Sequence, residues 1–143
     1  MAQQNNLQED NNKQMIKDGF EKWANGKGSF FDLLADDAKW TISGSSFLSK
    51  TYTSKKQLID EVIAPLNDRL SQKIIPTVRE IFTDGNTVIA IWDGKATALD
   101  SKPYNVSYAW FMKMHNGKIV AVTAFLDTLD LEEIFKRVKV ANK

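Results

Sequence analysis

The chain has no cysteine and a single histidine, His115. The first absence excludes disulfides and thiol chemistry and leaves the compartment open. The two together deprive a zinc site, which draws on several His or Cys ligands, of its donors. A Ser-His-Asp arrangement needs its histidine between nucleophile and carboxylate, whereas His115 falls in a turn-like Met114-His115-Asn116-Gly117 stretch. The seven glycines form neither GxGxxG nor a P-loop, so a phosphate cradle is missing too. The expectation is therefore no metal and no cofactor. Charge is equally uninformative: 19 basic residues face 18 acidic ones, for a net +1. That balance gives no footprint for nucleic acid or an anionic membrane surface, and the lysines of the C-terminal FKRVKVANK suit a helix end. No run approaches the roughly 20 apolar residues of a membrane span, and MAQQNNLQEDNNKQ lacks the apolar core of a signal peptide. A cytoplasmic location is expected, a removed leader being left open.

What remains is 143 residues, 43% of them hydrophobic, enough for one domain with a core. Residues 1–11 are Asn/Gln-rich and are expected to form a flexible N-terminal arm; residues 12–143 are expected to form a single domain. Met15, Ile16, Phe20, Trp23 and Ala24 recur on one helical face, with Gly26 as its stop. Ser29 and Asp32 predict a short second helix in SFFDLLADD, followed by a strand in AKWTIS. Ser54 with Gln57 has capping-box spacing for a third helix whose stripe is Leu58, Val62, Ile63 and Leu66, and Pro65 should kink or end it.

Beyond about residue 71 the hydrophobic period changes to two. Two pairs of strands are predicted, joined at Asp84-Gly85-Asn86 and at His115-Asn116-Gly117. DTLDLEEIFKRVK closes the chain as a helix. Helices set apart in sequence from an antiparallel meander predict an α+β fold. A curved sheet with helices over one face encloses a cavity. Tyr104, Val106, Tyr108, Trp110, Met112 and Met114 share one face of a strand; Val88, Ala90 and Trp92 share a face of its neighbour. Which parity faces the cavity is open at this point. Ordinary core packing explains such a row, but Trp40, Tyr52, Trp92, Tyr108 and Trp110 form an unusual set of large rings with polar tips, suited to a flat apolar ligand. Two carboxyls stand out. Asp93 interrupts an apolar strand, where a solvent-facing bulge or a pocket are the alternatives. Asp127 ends the last strand, where Thr128 and Asp130 could cap the following helix in its place.

KPYNVSYAWFMKMHNGKIVAVTAFLDTLDLEEIF resembles the SnoaL-like branch of the nuclear transport factor 2-like (NTF2-like) superfamily. The resemblance lies in Tyr104, Tyr108, Gly117-Lys118-Ile119 and Asp127, and upstream in DDAKW and TYTSKKQLIDEVIAPL; it spans about residues 12 to 138. Thr53-Ser54 stands where the family commonly has a glycine. The resemblance implies a cone-shaped barrel, in which a curved, mainly antiparallel sheet is covered by N-terminal helices and closed by a short C-terminal helix, often with a homodimer on the outer sheet face. It also implies a small hydrophobic ligand. Fold alone does not settle activity. One reading is a cofactor-independent isomerase, cyclase or lyase for a hydrophobic carbonyl compound. Asp127 or Asp93 would then carry the proton, and Trp40, Tyr52, Trp92, Tyr108 and Trp110 would hold the substrate. The other reading is a non-catalytic ligand-binding or dimerisation module. Neither Arg69 nor Arg79 matches the arginine that epoxide-hydrolysing relatives pair with their acids.

Overall fold

A computed structural model describes residues 2–140. Helix α1 covers Ala2–Ala24. It ends in a paired-carbonyl stop in which Lys27 N–H donates to Lys22 O and Gly26 N–H to Trp23 O, with Gly26 in the left-handed region at φ +68°. The segment read as an arm is thus helical from Ala2 onward; Met1 and residues 141–143 lie outside the described residues. Apolar periodicity does not report this part, because its ties are polar. Gln8 donates to Asn12 Oδ1 at 3.2 Å, and Gly85 N–H, in the Asp84-Gly85-Asn86 turn, donates to Glu9 at 2.8 Å.

The second predicted helix is one 3-10 turn, Phe30–Leu33, capped by Ser29, whose hydroxyl accepts from Phe31 N–H at 3.1 Å. Packing keeps this helix short. Phe30, Phe31 and Leu34 are all buried, and Leu34 already pairs with Ile119, so strand β1 starts there and runs Leu34–Ile42. A two-residue strand that the sequence did not suggest, β2 (Thr51–Tyr52), lies antiparallel to it. Ser54 caps α2 (Lys55–Leu58) by accepting from Gln57 N–H at 3.0 Å, and the Gln57 amide reaches back to Thr53 N–H at 2.8 Å. The helix then widens into a π turn at Ile59–Ile63 before α3, Ala64–Asp68. Pro65 explains the change of pitch: it has no N–H to donate, and its ring would clash with a carbonyl one normal turn back.

The four meander strands are β3 (Leu70–Asp84), β4 (Thr87–Ala98), β5 (Pro103–His115) and β6 (Lys118–Leu126). Both predicted hairpins form, the second through Asn116 and Gly117 at φ +50° and +76°, the mirror-image turn that matches strand twist. The sheet order is β2-β1-β6-β5-β4-β3, antiparallel except for the parallel β1–β6 pair. The curved, open sheet, the helices over one face and the short C-terminal helix α4 (Thr128–Arg137) make the α+β cone expected from sequence. Parity is now settled. Tyr104 through Met114 and Val88 through Ala98, at alternate positions, are buried under the helices, joined there by Ile16, Phe20 and Leu58. Among the described residues no helix is long and apolar enough to cross a membrane.

Candidate functional site: an aromatic cavity without an acid

Between the inner sheet face and the helices lies a cavity of about 660 Å³, within the range of small-molecule sites. All four tryptophans of the chain, Trp23, Trp40, Trp92 and Trp110, line it together with Tyr108. Strand alternation puts the last three residues of that group on the buried face, and cross-strand register makes Trp92 the direct partner of Tyr108. Their rings stack at 4.1 Å and 9°, and Trp110 stands edge-on to Trp92 at 4.7 Å and to Trp40 at 4.9 Å. Such offset and edge contacts add to area burial. The helical wall is the α2–α3 stripe, Leu58, Val62, Ile63 and Leu66, and Leu131 of α4 contributes from the far side.

Four of the five rings expected to hold a ligand therefore line one space. Tyr52 does not. It is buried, and its hydroxyl donates to Leu48 O at 2.6 Å, tying down the 43–50 loop; burial, then Glu61, pushes its phenol up.

Neither expected acid lines the cavity. Asp93 has outward parity, between buried Trp92 and Gly94. Its carboxylate accepts from Ser107 Oγ at 2.6 Å and pairs with Arg79 at 3.2 Å. The Arg–Asp pair that sequence could not identify thus exists, on the outer face of the sheet. Asp127 is exposed and is the N-cap of α4, its Oδ1 accepting from Leu129 N–H at 3.0 Å and Asp130 N–H at 3.3 Å. The helix starts at Thr128, so Thr128 and Asp130 fall inside it and cannot replace Asp127 as its cap. His115 is exposed in its turn.

Among the described lining residues there is no Asp, Glu or His, and the one charged side chain is Lys73. No group of three or more His, Cys, Asp or Glu side chains comes together among the described residues. Trp92 and Tyr108 bring polar tips to the wall, while Tyr104, two inward positions before Tyr108 on β5, is buried but does not line the cavity. The Trp92 indole N–H and the Tyr104 hydroxyl are buried without a hydrogen-bond partner among the described residues. Burial pushes both phenols, Tyr104 and Tyr108, well above the ordinary tyrosine range, so they are neutral donors. The carboxyl that burial does hold above its usual range, helped by Asp127 and Glu133, is Asp130. It precedes cavity-lining Leu131 on α4 and is half-buried.

Sequence reasoning missed Trp23 and the α2–α3 stripe as lining residues, since the same spacing describes ordinary core. It also missed Lys73, Gln72 and Asn67 at the rim; a Lys at the start of a strand carries no signal of its own.

No family model matches the chain, and no curated protein matches it. Solved structures do. An NTF2-like protein of unknown function from Burkholderia pseudomallei superposes with a TM-score of 0.71 at 17% identity, over 87% of this chain and 97% of that one. TerC, co-crystallised with polyporic acid, gives 0.67 at 18% identity, over 87% and 98%. A protein from Jannaschia assigned as a SnoaL-like polyketide cyclase gives 0.70 at 11% identity, over 92% and 95%. At these identities the likeness is one of architecture, and it agrees with the cone built up above: the chain has the NTF2-like fold.

Proposed function

We propose that this chain binds a flat, apolar, ring-bearing small molecule in the aromatic cavity and works as a ligand-binding module, without a carboxylate of its own acting on the ligand. The observation that carries this reading is the composition of the wall: four tryptophans and a tyrosine, with no acid or imidazole among the described lining residues. A carboxyl acting as general acid or base must lie within hydrogen-bond reach of the ligand, and the two acids favoured from sequence serve an outer ion pair and a helix cap instead. The likeness to TerC, crystallised with polyporic acid, is in keeping with a ring compound as ligand. Because every tryptophan lines the cavity, intrinsic fluorescence reads its occupancy directly. Titration with polycyclic aromatic compounds should quench it saturably, and Trp110→Ala should weaken that binding. A turnover of any such compound that is lost in Asp127→Asn would restore the acid/base reading.

The outer sheet face supports the expected homodimer as a second element of the proposal. Phe82, Phe111 and Phe125 are 49%, 39% and 48% exposed, and Phe111 meets Phe125 edge-on at 5.7 Å. Large rings in one exposed row mark contact surfaces. Sedimentation velocity should give a dimer that Phe111→Lys converts to monomer; an unchanged monomer at high concentration removes this part.

A further inference from the structure

The cavity wall is electrically one-sided, and this bears on what kind of ring compound fits. At its rim the exposed lining residues come from two places: Ala24, Gly26, Gly28 and Ser29 at and after the end of α1, and Gln72, Lys73 and Ile75 at the start of β3. Lys73 is the only charged one among the described lining residues. Its ammonium donates to Asn67 O, in the last turn of α3, and at 3.3 Å to the carbonyl of Leu70, the first residue of β3. Those carbonyls hold the group in place, as cations are favoured at a helix C-terminus. They use two of its three N–H bonds and leave one free. Deeper in, the Trp92 indole is 1% exposed and can only donate, yet has no acceptor among the described residues. Tyr108 is held neutral by burial and presents a phenol rather than a phenolate. The site thus offers donors and one cation, and no anionic acceptor that would receive an ammonium ligand.

Building on the ligand-binding reading, we infer that the cavity selects ring compounds that end in an anionic oxygen, a carboxylate or an ionised hydroxyl, seated with that end at Lys73 and the rings among Trp92, Tyr108 and Trp110. A cation of the same shape would meet Lys73 at the rim and find no carboxylate inside.

Equilibrium dialysis of the full chain against three matched probes tests this: 9-anthracenecarboxylate, 9-anthracenemethanol and 9-(aminomethyl)anthracene. The carboxylate should bind about fivefold more tightly than the alcohol, the scale of one solvent-accessible ion pair, and the ammonium more weakly than either. Raising salt should erase the carboxylate's advantage while leaving the alcohol unchanged. Lys73→Met should bring the carboxylate down to the alcohol, and Lys73→Arg should keep the preference. Equal binding of all three probes, or a preference that survives Lys73→Met, overturns the anion selectivity and leaves the ligand-binding reading standing. If none of the three binds, both fall.

Discussion

Trp92 and Tyr108 sit directly across from one another on β4 and β5, with ring planes 9° from parallel and centroids 4.1 Å apart. The pair is both a wall of the cavity and a load on the fold, since Trp92 also meets Trp23 at 5.1 Å and Phe20 at 5.4 Å. Trp92→Ala should lower unfolding stability by about 3–5 kcal/mol, the range for deleting a large buried ring. Urea unfolding should show this as a lower midpoint at an unchanged slope.

Gly94 owes its identity to that stack. A Cβ there would come within 3.0 Å of Ile74 Cγ2, 3.2 Å of Trp92 Cζ3 and 3.3 Å of Tyr108 Cε1. Gly94→Ala should therefore cost about 1–3 kcal/mol through overpacking and change the near-ultraviolet circular dichroism of the ring cluster.

Asp127 should behave as a cap. Asp127→Ala should lose about 1 kcal/mol, while Asp127→Asn and Asp127→Ser keep most of it because their side chains accept the same hydrogen bonds. Thermal unfolding ranks the three; probe affinity for the cavity should be the same in all of them.

The pair of Arg79 and Asp93 should matter little. Both side chains are partly exposed, at 52% and 37%, and a double-mutant cycle should give a coupling of at most about 1 kcal/mol that shrinks with added salt.

Asp130 gives a pH dependence whose sign follows from its raised pKa, caused first by burial and then by Asp127 and Glu133. A carboxyl with a native pKa above its unfolded value binds its proton more tightly when folded. The associated stability is complete below the unfolded value and is lost as pH rises through the native one. Asp130→Asn should accordingly match the parent chain in acid and exceed it near neutrality, in denaturation curves taken from acid to neutral pH.

Most of the architecture was legible because it is written in side-chain period. The alternation of Tyr104 to Met114 and of Val88 to Ala98 marks two central strands and their common face, and the Asp84-Gly85-Asn86 and His115-Asn116-Gly117 turns give each its hairpin partner, β3 for β4 and β6 for β5. What escaped was structure held by other means. Helix α1 extends through polar residues whose partners, such as Gly85, lie far away in sequence. Strand β2 is two residues long and is defined by its register with Trp40 and Thr41. The site was half legible for a related reason. Ring residues declare themselves by parity, whereas the place of a carboxyl depends on partners: Asp93 on Arg79 and Ser107, Asp127 on the first amides of α4. Sequence shows that a cap is possible, and only the start of the helix shows which residue it is.

The apolar share of the cavity wall also governs heat. Water against Leu58, Val62 and Leu66 finds no hydrogen-bond partner there and is poorly held, unlike water at the polar groups of the rim. A compound that displaces such water exchanges weak hydration for close ring contacts. Its calorimetric signature is a favourable enthalpy at room temperature with a negative heat-capacity change, in place of the entropy-driven profile of small apolar solutes leaving bulk water.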